Sequence, residues 1–369
     1  MEADVIIIGG GLMGLSTALH LGQRGVKSVV LEKQSPGRHA SGVNAGGLRQ
    51  LNRHLAEVPL AIAAARLWRN IGELVNSDLI SDEIVLKGQV RVAENEKELQ
   101  TLKARVEQLE GLGFDHERLI DAEQLYKLVP KLVSGCVGAL YSPDDGFARP
   151  FHATTAFRHR AIELGAHIQN GVEVHGIEPE NNGWRVHTNQ GSLSAPTLVN
   201  CAGAWANHIA AALGEAVPLT PQSPMLMVTE RLPHFLDSVV GAVGHKLSFK
   251  QMQNGTVIIG GAHLAKLNLE QEQTTVDFQK LKTSAQSVTQ LFPHMANVRI
   301  VRAWAGIEGF MPDNIPVIGP SSKARGVFHA FGFSAHGFQL SPIVGKIVSD
   351  LILDGATSLP IEAFDIGRF

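Results

Sequence analysis

The sequence predicts an α/β fold in which two domains are interleaved along one chain. A strand, a helix and a second strand open the chain in the order typical of a parallel sheet. Hairpin signals recur in the middle of the chain and indicate a second sheet. Short apolar strands near the C-terminus then return to the first core. The length of 369 residues is also more than one hydrophobic core usually serves.

The composition excludes several classes of protein. Apolar residues make up 44% of the chain and charged residues 18%, which is typical of a globular protein and not of a disordered or fibrous one. The net charge of −3 gives no reason to expect nucleic acid or an acidic membrane surface as a partner. Cys136 and Cys201 lack CxxC spacing, so we expect buried thiols, no disulfide scaffold, no iron–sulfur cluster and no metal site. No apolar run reaches the ~20 residues of a membrane span and no leader segment is visible, so we expect a soluble, cytoplasmic protein.

The opening unit is assigned from its hydrophobic pattern. Residues 4–8 form a short apolar run that predicts a buried strand. Apolar residues then recur at helical spacing, at Leu12, Leu15, Ala18 and Leu19. Gly25 ends this helix, and SVVLE (28–32) predicts a second buried strand. Together these elements predict a βαβ unit of a parallel sheet.

A glycine-rich turn lies between the first strand and the helix. DVIIIGGGLMG places Gly9, Gly11 and Gly14 in G-x-G-x-x-G register. Such glycines permit a tight turn, close approach of a pyrophosphate and close helix–strand packing, while the helix N-terminus attracts phosphates. Glu32 ends the second strand, where a carboxylate can accept hydrogen bonds from ribose hydroxyls. We therefore predict dinucleotide binding; the alternative is a turn that serves only packing.

The middle of the chain predicts a second sheet. Asn182-Gly183 and Asn254-Gly255 are turn signals between alternating apolar segments and predict two hairpins. Helices are predicted at about 151–165 and 275–292. Because segments of the two sheets alternate, we divide the chain into a first domain of residues 1–82, 145–215 and 296–369 and a second domain of residues 83–144 and 216–295.

The C-terminal part contains an unusual stretch, AWAGIEGFMPDNIPVIG (303–319). It is apolar, rich in glycine and broken by two prolines, with one acid, Glu308, in its first half. A core strand should not carry a lone carboxylate there, and a surface loop should not be this apolar. We therefore predict that it lines a cavity between the domains. The last helix is predicted over 341–353, with Ser341 as N-cap and Pro342 at its first position.

Four further segments are similar to those of a flavoprotein family. ASGVNAGGLR (40–49) resembles its second FAD segment, and LVNCAGAWA resembles its strand-to-helix turn after the central hairpin. WAGIEGFMPDNIPVIG resembles its W-x-G segment that ends in P-x-I-G, and GVFHAFGFSAHGFQLSPIVGKIVSDLI resembles its C-terminal flavin loop and helix. Over nearly its whole length the chain resembles the FAD-dependent D-amino-acid oxidase family, in the branch of glycine oxidase and sarcosine oxidase.

The resemblance implies a fold and a chemistry. The fold would be a Rossmann-like FAD-binding domain interleaved with a mixed-sheet α+β substrate domain. FAD would lie extended with its ring between the domains, and oxidation of an amine C–N bond would pass a hydride to flavin N5. Met311 stands where some sarcosine oxidases carry the cysteine that bonds to FAD, so non-covalent FAD is expected.

The resemblance also implies cofactor contacts. Small residues would let the backbone reach the flavin ring and the pyrophosphate, and the last helix N-terminus would stabilise negative charge on reduced flavin. Trp205 has core packing as its alternative. The expected cofactor residues are Gly9, Gly11, Leu12, Met13, Gly14, Glu32, Lys33, Ser41, Asn44, Ala45, Gly46, Gly47, Val172, Cys201, Ala202, Gly203, Trp205, Gly306, Gly332, Ser334, His336, Gly337, Phe338 and Gln339.

The candidates for substrate chemistry are Arg49, Lys250, Glu308 and His336. Arg49 matches the position where sarcosine-oxidase relatives place an arginine beside the flavin, and it could bind a substrate carboxylate. Arg53 is a second candidate, and surface salt bridging is the alternative for both. Lys250 or Lys246 could activate oxygen near the flavin, or could be an exposed lysine. His336 could contact the active site or be a passive loop residue.

Glu308 departs from the family pattern. Relatives that oxidise small amino acids often have an arginine there, in a G-L-R-P pattern that holds the substrate carboxylate; here the pattern reads Gly306-Ile307-Glu308-Gly309. A carboxylate would repel a substrate carboxylate and attract a guanidinium or a secondary ammonium. It could instead be buried and protonated, or pair with Arg302.

These departures favour an FAD-dependent oxidoreductase for a secondary amine or an amino acid. The resemblance is closest to β subunits of multi-subunit sarcosine oxidases, to hydroxyproline and proline dehydrogenases and to opine oxidases. A small-molecule amine or amino acid would be the substrate, and α or γ partner subunits would carry iron–sulfur or a second flavin. The alternatives are an electron-relay or assembly flavoprotein with little turnover of its own, and a stand-alone oxidase that forms peroxide.

Overall fold

A six-stranded sheet forms the centre of the first domain in this computed structural model, which describes residues 3–81 and 83–369. Five neighbouring strands are parallel, and the outermost one is antiparallel. The opening strand is buried throughout because helices cover one face of the sheet, while residues 172–195 and the helix Ala206–Ala212 pack against the other. In spatial order the strands are Val317–Pro320, Val327–Phe331, Thr197–Asn200, Val5–Ile8, Ser28–Glu32 and His167–Asn170.

An eight-stranded mixed sheet forms the centre of the second domain. Its neighbouring strands are antiparallel except for one parallel pair, Gln89–Ala93 with Val239–Ala242. In spatial order the strands are Ile300–Ala305, Met225–Thr229, Val257–Gly260, Ser248–Gln251, Val239–Ala242, Gln89–Ala93, Gly138–Ser142 and Arg118–Asp121. The expected α/β class, with a parallel sheet and a second mixed sheet, is confirmed.

Smaller sheets and hairpins complete the strand pairing. Both predicted hairpins form. In the second, Gly255 adopts the positive φ (85°) that such turns favour. In the first, the turn is Asn181-Asn182, and Gly183 already pairs with Glu180 in the returning strand. The three-stranded sheet contains Gly191–Ala195, Gly183–Thr188 and Val174–Glu180. The two-stranded pairs are Thr220–Gln222 with Glu308–Phe310, Lys266–Asn268 with Gln273–Thr275, and Gly47–Leu48 with Gly146–Phe147.

The helices cover the sheets. The α-helices span Leu12–Gln23, Ala40–Val43, Val58–Arg69, Ile71–Val75, Asp78–Ser81, Glu96–Gly111, Ala122–Leu128, Pro150–Glu163, Ala206–Ala212, Phe278–Leu291 and Gly337–Asp354. Short 3₁₀ turns span Leu55–Glu57, Gly203–Trp205, Pro293–Met295, Glu362–Phe364 and Ile366–Arg368. In the described part of the chain, no helix combines the length and apolarity needed to cross a membrane.

The last helix begins earlier than the sequence pattern indicates. It starts at Gly337 with His336 as its N-cap, and Pro342 lies inside it. The prediction of an N-cap at Ser341 was therefore wrong. The Ser341 hydroxyl instead donates to the carbonyl of Phe338 within the helix (2.9 Å). The earlier start brings the helix N-terminus to the loop that precedes it.

Each domain has its own core. In the first, the helix Leu12–Gln23 packs against the last helix and the six-stranded sheet. In the second, the helix Phe278–Leu291 covers the eight-stranded sheet, and Phe249 stacks on Phe292 with ring centroids 4.3 Å apart. Cys136 and Cys201 are buried and free, as expected.

The strand Ile300–Ala305 bears on the division into domains. It pairs with Met225–Thr229 in the eight-stranded sheet, although the division at residue 296 assigns it to the first domain. The following residues, Glu308–Phe310, lie beside the loop of residues 333–335 in the first domain. We therefore propose that the chain crosses between the domains after Ala305.

Candidate functional site

A cavity of about 1280 Å³ is lined by both large sheets and the segments that connect them. Its size exceeds the roughly 300–1,000 Å³ of a typical small-molecule pocket. It can therefore hold an extended dinucleotide together with a small substrate. The wall includes the turn after the first strand, the end of the strand Ser28–Glu32, the segment 38–53, the strand Gln89–Ala93 and the loop 330–339.

The first turn has the geometry of a phosphate cradle. Gly9 has a φ of 110°, which a residue with a side chain rarely adopts. A Cβ at Gly14 would overlap the carbonyl oxygen of Gly9, so only glycine lets the helix start this close to the strand. Gly11 is the N-cap of that helix and offers no side chain between the helix N-terminus and the cavity. These features fit the pyrophosphate of a dinucleotide.

Glu32 and Ser41 hold the turn from either side. The Glu32 carboxylate accepts hydrogen bonds from the backbone N–H groups of Gly10 (2.8 Å) and Gln34 (2.9 Å). The Ser41 hydroxyl accepts from the N–H of Leu12 (2.9 Å). Both side chains also line the cavity, so the carboxylate could meet a ribose.

Most residues expected to contact the cofactor line this one cavity. The exceptions among the described residues are Gly14, Gly46 and Ser334. Gly14 supports the turn from behind, and Gly46 packs against the backbone of Ala148. The Ser334 hydroxyl accepts from the N–H of Met311 (3.0 Å) and donates to Gly332, so it is used within the protein. These three residues support the wall and do not form it.

Lys250 also lies outside the cavity wall. It is 1% exposed, and its Nζ donates to the carbonyl of Ala45 and lies 4.9 Å from the centre of the Phe147 ring. Burial lowers its pKa to about 7. Its strand therefore holds the second FAD segment from behind. Lys246, the alternative, is exposed and lines the cavity.

A hairpin of the second domain closes one end of the cavity. The strands Lys266–Asn268 and Gln273–Thr275 form it, and Glu272 stands at its turn. The Glu272 carboxylate accepts from Nζ of Lys33 and from Nε2 of Gln34 (2.7 Å), and lies 3.4 Å from Nε2 of His39. Nζ of Lys33 also lies 3.4 Å from the centre of the Trp205 ring. Lys33 and Trp205 are thus held at the dinucleotide end of the cavity by ionic and cation–π contacts.

Glu272→Gln should speed the loss of FAD. The substitution removes the charge that pairs with Lys33 across the cavity mouth, and a partly buried pair of this kind contributes up to about 1 kcal/mol, or roughly fivefold in retention. The rate of FAD release, followed by its fluorescence, measures the effect. Glu270→Gln in the same hairpin is the control, because Glu270 lines the cavity but forms no described ion pair. Equal rates of FAD release in the two variants would show that the ion pair of Glu272 with Lys33 does not retain the cofactor.

A buried polar cluster stands behind the inner end of the cavity. Nε of Arg53 donates to the Arg49 carbonyl (2.8 Å), and Nη2 of Arg53 reaches Oε1 of Gln339 (3.3 Å). Nδ1 of His336 donates to Oε2 of Glu57 (2.8 Å). Nη1 of Arg53 is buried and has no hydrogen-bond partner in the described residues, although other parts of Arg53 line the cavity.

The protonation states in this cluster follow from burial and from the neighbouring charges. Burial and the Arg53 charge lower the pKa of His336 to about 4, so its imidazole is neutral at pH 7. Burial and the Arg49 charge lower the pKa of Arg53 to about 9, which leaves it charged. Burial alone would raise the pKa of Glu57, but its hydrogen bond with His336 and the arginine charges lower it below its usual value. Glu57 is therefore ionised, and its negative charge compensates the positive charges of Arg49 and Arg53.

Glu308 and Arg49 line the cavity with opposite charges. Oε1 of Glu308 accepts from the N–H of Ala335 (2.8 Å), which leaves Oε2 available to a ligand. Burial raises the Glu308 pKa to about 7. Nη1 of Arg49 donates to the carbonyls of Leu51 (2.7 Å) and Asn52 (3.2 Å), which fix the guanidinium in place. The predicted alternative of a Glu308–Arg302 pair was wrong, because no such ion pair forms among the described residues.

Arg91 and Glu272 are two charged cavity residues that the sequence motifs do not include. Both come from the second domain, where the sequence has no recognisable FAD segment. Arg91 occupies the polar position of the alternating run QVRVA, on the face opposite Val90 and Val92. Glu272 leaves no signal in the sequence, because only tertiary folding brings its hairpin to Lys33.

The fold and the cavity define a flavin-binding class of oxidoreductase, with a Rossmann-like cradle for the dinucleotide and a second domain closing over it. The chain belongs to the FAD-dependent oxidoreductase family DAO, whose sequence pattern matches residues 4–351. It is an FAD-dependent enzyme, and the family resemblance seen in the motifs is confirmed.

Known relatives and a solved structure agree with this membership. The chain is 27% identical to the glycine oxidase of Geobacillus kaustophilus (strain HTA426), over 99% of this chain and 97% of the relative. It is also 27% identical to the mitochondrial sarcosine dehydrogenase of Mus musculus, but covers only 41% of that longer protein. The crystal structure of L-proline dehydrogenase from P.horikoshii matches with a TM-score of 0.92 and 30% identity, over 100% of this chain and 98% of the other.

Proposed function

We propose that this enzyme oxidises the C–N bond of a secondary amine or amino acid, of the sarcosine, proline, hydroxyproline or opine type. The observation that carries the proposal is that an arginine, Arg49, and a carboxylate, Glu308, both line the wall of one cavity. A zwitterionic amino acid presents the complementary pair of charges. The names of the glycine, sarcosine and proline enzymes similar to this chain support the same substrate class.

The chain's own residues would orient the substrate and hold its proton. FAD, when bound, supplies the two-electron acceptor. Arg49 would bind the substrate carboxylate through the N–H groups that its backbone contacts leave unused. Oε2 of Glu308 would accept one proton from the substrate ammonium, which leaves a neutral amine ready for oxidation.

Glu308 is better suited than His336 to hold this proton. Efficient acid–base groups have pKa values near the working pH. The Glu308 pKa of about 7 meets this condition, whereas the His336 pKa of about 4 makes its imidazole a weak base. His336 would instead position the last helix through its hydrogen bond to Glu57.

An anaerobic substrate screen tests the proposal. We expect sarcosine, proline, hydroxyproline or an opine to bleach the visible absorbance of the bound flavin. Dimethylamine is the control, since it is a secondary amine without a carboxylate; it should react at least about tenfold more slowly, because it forgoes a charge-assisted contact with Arg49. Dithionite should reduce the same sample, which shows that its flavin is competent. If dithionite alone bleaches the flavin, the electron-relay alternative is favoured.

We also propose that the enzyme acts as a subunit of a larger assembly. The support is the resemblance of its motifs to β subunits of multi-subunit amine oxidoreductases. The test compares the native mass of the protein in its source cells with that of the isolated chain, and measures oxygen consumption by the isolated chain. A native mass equal to one chain, with rapid oxygen consumption, would favour a stand-alone oxidase.

A further inference from the structure

The strand Gln89–Ala93 presents different residues on its two faces. Val90 and Val92 are fully buried in the core of the second domain. The opposite face carries Ala93 in a small apolar cluster at one end, and Gln89 and Arg91 line the cavity at the other. Because successive side chains of a strand alternate, Arg91 projects away from the core that its neighbours fill.

Arg91 is in direct contact with no acidic side chain in the described structure. It forms no ion pair or hydrogen bond there. Arg105, in contrast, forms a two-point salt bridge with Glu117, from Nη2 to Oε1 (3.0 Å) and from Nε to Oε2 (3.2 Å). Glu117 is the acid that acts on Arg91 at longer range, and its oxygens are already used by Arg105 and the N–H of Asn52. The Arg91 guanidinium is therefore free to bind an anion that enters the cavity.

The surroundings of Arg91 leave room for an anion. Its partner across the parallel strand pair is Gly241, which also lines the cavity and places no side chain beside it. Arg49, from the first domain, adds a second guanidinium to the same cavity, and burial and the Arg91 charge both lower the pKa of Arg49. Glu308 contributes the opposite charge elsewhere on the wall. Arg49 and Arg91 thus give the cavity two guanidinium groups that can bind anions, beside the carboxylate of Glu308.

We propose that Arg91 is a specificity-determining residue that binds a second carboxylate of the substrate, so that the preferred substrate is a dicarboxylic secondary amine. This inference rests on the proposed function and narrows its substrate class to N-(carboxyalkyl) amino acids. Arg49 binds one carboxylate, Arg91 binds the other, and Glu308 faces the amine between them. Guanidinium groups suit this task because they bind carboxylates in a planar, two-point contact.

Binding of two inert anions to the FAD-loaded enzyme tests this arrangement without turnover. Glutarate carries two carboxylates, butyrate carries one, and neither can be oxidised at a C–N bond. By calorimetry we expect glutarate to bind at least about tenfold more tightly than butyrate, as one added charge-assisted contact implies. Arg91→Gln should remove this preference by weakening glutarate alone, and Arg91→Lys should keep part of it.

Arg118→Gln is the matched control, because Arg118 lies two strands away in the same sheet, is exposed and stands over the Tyr141 ring outside the cavity. It should bind both anions as the unchanged enzyme does. Equal affinity of the unchanged enzyme for the two anions would overturn the proposal, as would equal weakening of both by Arg91→Gln. The first comparison needs no variant, so the proposal stays testable if Arg91→Gln fails to fold. Sarcosine bleaching without a glutarate preference would leave the proposed function standing and remove only this inference.

Discussion

Gly14→Ala should give a protein that retains little FAD and unfolds at a lower temperature. The added Cβ would overlap the Gly9 carbonyl and press on the Ile7 side chain, so the first helix must move away from the phosphate turn. Overpacking of this kind costs about 1–3 kcal/mol, which lowers Tm by several degrees in a chain of this size. Flavin content should fall at least about tenfold, because the displaced helix N-terminus no longer meets the phosphates. The ratio of visible to ultraviolet absorbance measures flavin content, and thermal unfolding measures stability.

Gly111→Ala is the matched control for this change. Gly111 ends the helix Glu96–Gly111, and a Cβ there meets nothing within 4 Å. Because alanine is the better helix former, Tm should stay equal or rise slightly, with full flavin content. A Gly14→Ala protein with both properties unchanged would show that close approach of the helix is not required for FAD binding.

The parts of the site that depend only on one short segment of the chain could be predicted from the sequence. The turn at Gly9, the acid at Glu32 and the two predicted hairpins depend on φ values and on residues close along the chain. Local chemistry dictates these features, so a single sequence is enough to find them.

The parts that depend on tertiary contacts could not be predicted. The alternation of side chains assigns Lys250 to one face of its strand. Only the packing of the two domains determines that its side chain meets the backbone of Ala45 and not the cavity. The last helix starts at Gly337 because Ser334 and Ala335 adopt positive φ values of 49° and 69°, which residues with side chains rarely do. Contacts from Gly309 and Glu308 hold that strained pair, and neither is close to it in sequence.

Glu308→Gln should lower kcat/KM for the amine substrate by about 100-fold, the low end of the range for losing a positioned acid–base group. The amide still offers an oxygen to the N–H of Ala335, so the strained loop keeps its contact. What is lost is the negative charge that attracts the ammonium and takes its proton. FAD content should therefore stay within about twofold of the unchanged enzyme, because no cofactor contact is removed. Steady-state kinetics and flavin content are the two measurements.

The pH profile separates this role from a purely structural one. Below a pH of about 7 Glu308 is protonated and neutral, and it can neither attract the ammonium nor accept its proton. Above that pH it is ionised, so kcat/KM of the unchanged enzyme should rise through this region and then level off. Glutamine does not titrate, so the rise should be absent in Glu308→Gln. A profile that keeps the same rise in the variant would assign the titration to another group.

Glu308→Ala distinguishes two roles of Glu308: supplying a negative charge to the substrate, and holding the loop through its hydrogen bond to Ala335. Alanine removes the charge and also the acceptor for Ala335, so a loop with two left-handed residues loses one of its restraints. We expect this variant to match Glu308→Gln in its loss of kcat/KM and to lose FAD faster than Glu308→Gln. If the glutamine variant instead keeps its activity, while the alanine variant loses FAD and activity in equal proportion, Glu308 acts by holding the loop. The proton acceptor must then be sought elsewhere on the wall, and His336 is poorly suited because its pKa is about 4.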